Sequence, residues 1–481
     1  MNTTAVNHFS RRSFLVGCSA CAAASLAMAK TAAAQSTLSC GELYPAAKAK
    51  VRLVYLHSDP AEEIWPNIGY NFEVRKTELT SQLKAQCPDI DFFPVTIKSQ
   101  EQMQQMLDRD QDIDGYVCVV LGLGPGLISA RALVDSDRPL VLCDDLYGGT
   151  GHFLGEYGRA CRLGKKVVGV SSSQISDIAQ AANQFAAIKK LQHSKMLDVT
   201  ERAQDQLWGG AKLEDFENVF GTKTVLLRAD QLNRAYESAD PEQAKAWAEQ
   251  WISRARNVIE PSKAELIKSG AMYLGLQNLM REHQAQAIAI DCLGLFYSQK
   301  MSAYPCMGFF QLNNDGLIGA CESDLYSTIT MLAMAYLTGK PGFISDPVID
   351  TAKNQVIYAH CVAMNKVHGP EGESNAFDIR DHSEDRKGAA VRSLMPLGET
   401  ITTLKFRPDR NLCVMHTGKT VENVDLDKAC RTKLAATVDG DIETMLKGWD
   451  YGWHRVTFFG DYKKTVEDFC TLKGIEVVHE A

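Results

Sequence analysis

Basic residues are in deficit in this 481-residue chain: 51 Lys and Arg against 59 Asp and Glu leave a formal net charge of −8. That balance argues against a nucleic-acid surface and for a small soluble partner. Past the Ala32-Ala33-Ala34 stretch there is no CxxC pair, although twelve of the 14 cysteines lie there. Cys118, Cys143, Cys292, Cys321 and Cys361 sit instead inside apolar, strand-like runs, so they read as small buried hydrophobes and not as a disulfide framework. No acid occurs before Glu42. An unbroken apolar run of bilayer length is missing too: the stretch from Phe14 to Ala29 is short and diluted by Ser, Gly and Ala, which speaks against a membrane anchor. Beyond that stretch neither an internal repeat nor a low-complexity segment is found.

What the first forty residues do have is Arg11, Arg12 and Lys30 around an Ala-rich apolar middle, the layout of an export signal. Ser10-Arg11-Arg12-Ser13-Phe14-Leu15 resembles the twin-arginine signal, whose bacterial pathway carries proteins already folded. Ala32-Ala33-Ala34 offers a small-residue cleavage site before Gln35. The expectation is a periplasmic or secreted protein with no membrane span after signal removal. Folding before export would keep the cysteines reduced and allow a metal to be loaded first.

The length suggests roughly three units. From Val51 apolar runs alternate with amphipathic ones: strands at Val51–Leu56, Tyr116–Leu121, Pro139–Cys143 and Val167–Val170, with a helix from Glu73 to Ala85. This is a βα series with a mostly parallel sheet. Gly122-Leu123-Gly124-Pro125-Gly126 is not spaced GxGxxG and no Lys-Ser/Thr follows, so it reads as a tight strand-to-helix turn and not as a phosphate cradle. A second α/β block, richer in helix, follows a Ser-rich turn near 171–175. It includes Ile175–Leu191, a helix opened by Asp240-Pro241, another opened by the capping box Ser262-Lys263-Ala264-Glu265, and a strand from Ala287 to Asp291. After Pro347 the texture changes to short alternating runs at Val356–Val362, Thr400–Phe406, Leu412–His416 and Arg455–Phe459, with a loop expected between Gly369 and Val391. The predicted class is α/β: two N-terminal Rossmann-like domains (41–172 and 173–347) and a C-terminal antiparallel β-barrel-like domain (348–481), behind the export segment (1–40).

At the centre of the second block lies Gly316-Leu317-Ile318-Gly319-Ala320-Cys321-Glu322-Ser323-Asp324-Leu325. A helix apolar on every face runs to Leu337, and then comes Gly342-Phe343-Ile344-Ser345-Asp346-Pro347. Two apolar strands that each stop on an acid are costly unless the acids hold a cation or a substrate. His360 interrupts an apolar strand and His454 precedes another, so Glu322, Asp346, His360 and His454 make a set of carboxylates and imidazoles suited to a divalent cation such as Mn²⁺.

Gly319-Ala320-Cys321-Glu322-Ser323-Asp324 with Thr330-Met331-Leu332, Leu337-Thr338-Gly339-Lys340-Pro341, Asp346, Ala359-His360-Cys361, Gly452-Trp453-His454-Arg455-Val456 and Phe459-Gly460-Asp461 resembles the L-fucose isomerase and L-arabinose isomerase superfamily. The resemblance implies that Glu322 and Asp346 bind Mn²⁺ and act as acid and base, with His454 and, as in arabinose-type members, His360 as further ligands. It also implies a trimer or hexamer with sites at subunit interfaces. Where members often carry a first histidine of an adjacent pair, this chain has Trp453, which could stack on a sugar face; Gln311 and Asp291 are further candidates for sugar binding. The expected chemistry is aldose–ketose isomerisation through an ene-diol, with a metal holding two sugar oxygens and a carboxylate by each carbon. A metal-dependent epimerase or lyase, or an exported sugar-binding protein without turnover, remain as alternatives.

Overall fold

The computed structural model describes residues 40–57, 65–122 and 129–481. Residues 1–39, where the export signal is expected, and residues 123–126 of the glycine-rich turn lie outside the described residues.

Five strands build the first sheet: β1 (Ala49–Leu56), β2 (Ile90–Ile97), β3 (Gly115–Val120), β4 (Leu140–Asp144) and β5 (Val167–Ser171). All neighbours run parallel, in the order β2-β1-β3-β4-β5. β3 and β4 are buried at every residue, as central parallel strands covered on both faces must be. Sequence patterning did not single out β2 because Pro94 interrupts it, and a proline is tolerated there since β2 is an edge strand.

The chain continues with β6 (Lys195–Val199), β7 (Lys223–Leu227), β8 (Asn257–Val258), β9 (Ala287–Ile290) and β10 (Ile318–Cys321). Four of these make a second parallel sheet in the order β10-β9-β6-β7. The helix Leu325–Thr338 follows β10; its residues from Leu325 to Ala335 are all buried, and it packs against β10 on one side and the C-terminal barrel on the other.

The remaining strands are β11 (Phe343–Asp350), β12 (Gln355–His360), β13 (Phe377–Arg380), β14 (Ala390–Ser393), β15 (Thr400–Arg407), β16 (Leu412–Asn423), β17 (Thr432–Val438), β18 (Arg455–Phe459) and β19 (Glu476–His479). Six of them close into an antiparallel barrel, β15-β18-β11-β12-β17-β16, with β16 pairing back onto β15. Closure leaves no open sheet edge within the barrel. β19 adds to β16 in parallel, outside the ring.

Two placements differ from the sequence reading. The strand carrying Asp346 does not extend the central parallel sheet but opens the barrel, because Phe343, Ile344 and Ser345 pair with β18 while Asp346 to Asp350 pair with β12. The stretch expected as a loop between Gly369 and Val391 contains β13, which is held between β14 and β8. Cys87, Cys118, Cys143, Cys292, Cys306, Cys321, Cys361, Cys413 and Cys470 are free and buried. Among the described residues no helix is long and apolar enough to cross a membrane.

Candidate metal centre

Strand register alone assembles three of the four groups. Asp346 faces Ala359 across β11 and β12, and Ser345 faces Arg455 across β11 and β18. His360 and His454 are therefore the residues flanking Asp346 on its two neighbouring strands. The fourth group arrives from the other side: Glu322 is the first residue past β10, at the carboxyl end of a parallel strand, where α/β sheets bind ligands. Glu322 and Ser323 both take left-handed backbone, φ 62° and 52°, so the chain turns abruptly and aims the carboxylate at the barrel. The Ser323 hydroxyl is held by the fully buried Asp198 on β6.

The resulting distances are short. His454 Nε2 lies 3.0 Å from Asp346 Oδ1 and 3.5 Å from Glu322 Oε2, and His360 Nε2 lies 3.8 Å from Glu322 Oε1. One ligand atom from each of Glu322, His360 and His454 can be chosen so that all lie within 4.8 Å of one another, which makes this a group able to hold a metal ion.

Behind His454 stands a buried ion pair. Asp324 Oδ2 accepts from His454 Nδ1 at 2.9 Å and from Lys405 Nζ at 2.9 Å, while Asp324 also caps the following helix by accepting from Ser327 N at 3.0 Å. Burial opposes ionisation of Asp324, but the Lys405 charge and the bond from His454 hold its carboxyl well below the usual range. Burial likewise opposes a charge on His454, yet its bond to Asp324 and the Asp346 carboxylate beside it raise it to about 9. At Asp346 burial is outweighed by the neighbouring His454 and His360 rings, which lower its carboxyl. Three carboxylates, Glu322, Asp324 and Asp346, thus face one ammonium, Lys405. The charged His454 offsets one of the two remaining negative charges, and a divalent cation that displaced its proton would meet both.

Bonding at the rings tests the fit. Asp324 fixes the proton of a neutral His454 on Nδ1, which leaves the Nε2 lone pair pointing at Asp346 Oδ1; both atoms are buried without a hydrogen bond. Two lone pairs face to face are repulsive unless a proton or a cation lies between them; a proton on Nε2 takes that place in the free centre, and a metal ion held by His454, Asp346 and Glu322 would replace it. His360 differs. Its Nδ1 accepts from the Cys361 N–H at 3.0 Å, which puts the proton of the neutral ring on Nε2, facing Glu322. As a ligand it must move that proton to Nδ1 and release the backbone contact; otherwise it is a hydrogen-bond donor at the fourth corner.

Among the candidates for sugar binding, Trp453 is at the centre: it is 58 % exposed, its ring lies 6.5 Å from that of His454, and its Nε1 donates to Pro347 O at 3.0 Å. Asp291 ends β9 beside Glu322, but it accepts from Arg202 Nε at 2.8 Å. Gln311 is committed elsewhere, accepting from Trp251 Nε1 at 3.0 Å and donating to Asp315 at 2.8 Å inside a buried helix. Three residues of the centre were not singled out in these roles. Asp324 stood in the central stretch with no role in the site assigned, and Lys405 was one residue in an alternating strand. Trp208, which stacks on His454 at 5.2 Å and 17°, had as its signal an aromatic before Gly209-Gly210 in the loop after β6. A cleft of about 800 Å³ along edge strand β7, lined by Asp205, Lys212, Glu214 and Lys223 among others, shares no residue with this centre.

No protein-family profile matches the chain. Over 301 residues it is 22 % identical to the sulfoquinovose isomerases of Priestia aryabhattai and Priestia megaterium, an alignment covering 61 % of this chain and 66 % of each relative. It is 27 % identical over 179 residues to the sulfoquinovose isomerase of Clostridium sp. (strain MSTE9), covering 36 % of this chain and 38 % of that one. The chain thus matches just under two thirds of the Priestia relatives' length. The similarity supports a sugar isomerase family and does not single out fucose or arabinose isomerases.

Proposed function

We propose that the chain is a divalent-metal-dependent sugar isomerase, with Mn²⁺ as the ion, that interconverts an aldose and a ketose by moving a proton between adjacent carbons. The observation that carries this reading is the facing pair His454 Nε2 and Asp346 Oδ1, buried, 3.0 Å apart and without a hydrogen bond, beside the carboxylate of Glu322. Glu322, Asp346 and His454 would hold the ion, with His360 next to them. A bound divalent cation supplies Lewis acidity that acidifies the C–H next to a sugar carbonyl.

The protein's own groups do the rest. Glu322 comes from the end of the parallel sheet and Asp346 from the barrel, so one carboxylate can take the carbon-bound proton while the other serves the hydroxyl side. His360, with its proton on Nε2, can donate to a sugar oxygen. Trp208, stacked on the His454 ring, and Trp453, its neighbour in sequence, offer apolar faces suited to the C–H face of a sugar ring. The relatives' name makes sulfoquinovose the first substrate to try. Assembly as a homo-oligomer, with a neighbouring subunit completing the pocket, belongs to the same reading.

The test is deuterium exchange at the carbon next to the carbonyl, followed by NMR with Mn²⁺ present, over sulfoquinovose, pentoses and deoxyhexoses. Exchange with interconversion is expected for one of them. Metal bound with no exchange from any sugar would overturn isomerisation and favour an epimerase, a lyase or a binding protein. Elemental analysis locates the ion: Glu322→Gln and Asp346→Asn should each lose it, and a metal-free wild type would sink the centre itself.

A further inference from the structure

We infer that Glu480 is a positioning residue for His454, acting through Arg455 on the main chain of the loop that delivers the imidazole to the centre; this rests on the metal-centre reading above. Glu480 follows β19, and its N–H donates to Met415 O at 3.0 Å, continuing the pairing of β19 with β16. Its side chain, 8 % exposed, accepts from Arg455 Nε at 3.0 and 3.2 Å and from Arg455 Nη2 at 2.5 Å. It is braced from behind by His416 Nδ1 at 2.9 Å, whose Nε2 meets the Tyr358 hydroxyl at 2.7 Å.

The Arg455 guanidinium is fully buried and spends its other donors on the loop. Nη1 donates to Gly452 O at 2.9 Å and His454 O at 3.0 Å, Nη2 to Asp450 O at 2.8 Å, and the plane lies 4.1 Å over the Trp449 ring. Three carbonyls of one loop are thus tied to a single cation. The loop needs that tie: Tyr451 and Gly452 are consecutive left-handed residues, φ 66° and 89°, and a non-glycine in that region persists only where its surroundings fix it. Asp324 orients the His454 ring, but nothing in the Asp324 contact sets where the loop places its Cα. Strand pairing fixes the chain from Arg455 onwards, and the Glu480–Arg455 tie holds the loop on the other side of His454; the two together set the distance from Nε2 to Glu322 and Asp346.

Mn²⁺ alone is the probe, titrated into the full chain and followed by electron paramagnetic resonance of the free ion. Glu480→Gln should bind about ten-fold or more weakly than wild type, in the range seen for partners that orient a ligand. The double variant Glu480→Met, Arg455→Met replaces the buried ion pair with apolar groups, a change that proteins often tolerate, and it should fold by circular dichroism and show the same loss. A second measurement needs no variant: Mn²⁺ added to wild type should slow amide hydrogen exchange at residues 476–480 together with 450–456, since coupling is reciprocal. Wild type that fails to bind Mn²⁺ removes the metal reading itself. Wild type that binds, with folded variants within two-fold of it or with exchange at 476–480 unchanged, removes the role of Glu480 alone.

Discussion

His454 Nδ1 lies 2.9 Å from Asp324 Oδ2, and that contact decides which ring nitrogen faces Glu322 and Asp346. An acid that caps a helix and fixes a histidine tautomer at once ties the metal centre to the start of the buried helix Leu325–Thr338. Asp324→Asn separates the two roles. Asparagine is as good a cap, but its amide can present a donor as readily as an acceptor to Nδ1. The expected result is a folded protein whose Mn²⁺ affinity falls by about 10- to 100-fold, measured by titration. Unchanged affinity would mean that the tautomer is set elsewhere.

Lys405 is the other half of this arrangement, 1 % exposed, with its Nζ 2.9 Å from the same Asp324 oxygen. Lys405→Met leaves Asp324 buried with His454 as its remaining charged partner. Removing one partner of a buried pair costs about 3–5 kcal/mol, so the urea midpoint should fall accordingly. Lys405→Met combined with Asp324→Asn, which removes both charges, should recover part of that loss. A single variant as stable as wild type would show that the pair contributes no net stability.

The two histidines should behave unequally. His454→Gln removes the one imidazole whose lone pair faces the acids and should lower Mn²⁺ affinity by more than about 100-fold, the upper end of what a supporting partner alone would cost. His360→Gln keeps an N–H donor in place of Nε2–H, so affinity should stay within about three-fold while turnover drops. Equal losses of affinity in the two variants would make His360 a ligand in its own right, with its Nδ1 released from Cys361.

Much of the scaffold was legible because it is written in local pattern. Fully apolar runs such as Tyr116–Leu121 and the glycine- and proline-terminated helix after Asp324 announce parallel strands and a buried helix without reference to anything distant. The acids at 322 and 346 stood out because a carboxylate at the end of an apolar strand is costly. What could not be read was non-local. That Phe343–Asp350 leaves the central sheet for the barrel depends on pairing with Arg455–Thr457, more than a hundred residues on. Lys405 meets Asp324 across 81 residues, and Trp208 meets His454 from the loop after β6. Gln311 shows the converse: a polar residue just upstream of the central strand looked like a sugar contact, and its bonds to Trp251 and Asp315 turn it inward.

Glu480 offers a pH signature of its own. Burial would raise its carboxyl, but the bond from His416 and the charge of Arg455 outweigh it and lower it to about 2, from an ordinary 4.5. A depressed acid contributes stability above its unfolded value and loses it as pH falls through the folded one. The contribution is therefore complete above about pH 5.5 and fades between roughly 4.5 and 2, on the order of 3 kcal/mol in all. Other lowered acids, Asp324 among them, fade over part of the same range, so wild type alone cannot isolate it. Glu480→Gln can, because every other group cancels in the comparison. The gap in unfolding free energy between wild type and variant, from urea melts at pH 6, 4 and 3, should be widest at pH 6 and shrink towards pH 3. A gap that stays constant with pH would place the cost of the substitution in packing and not in the Glu480 charge.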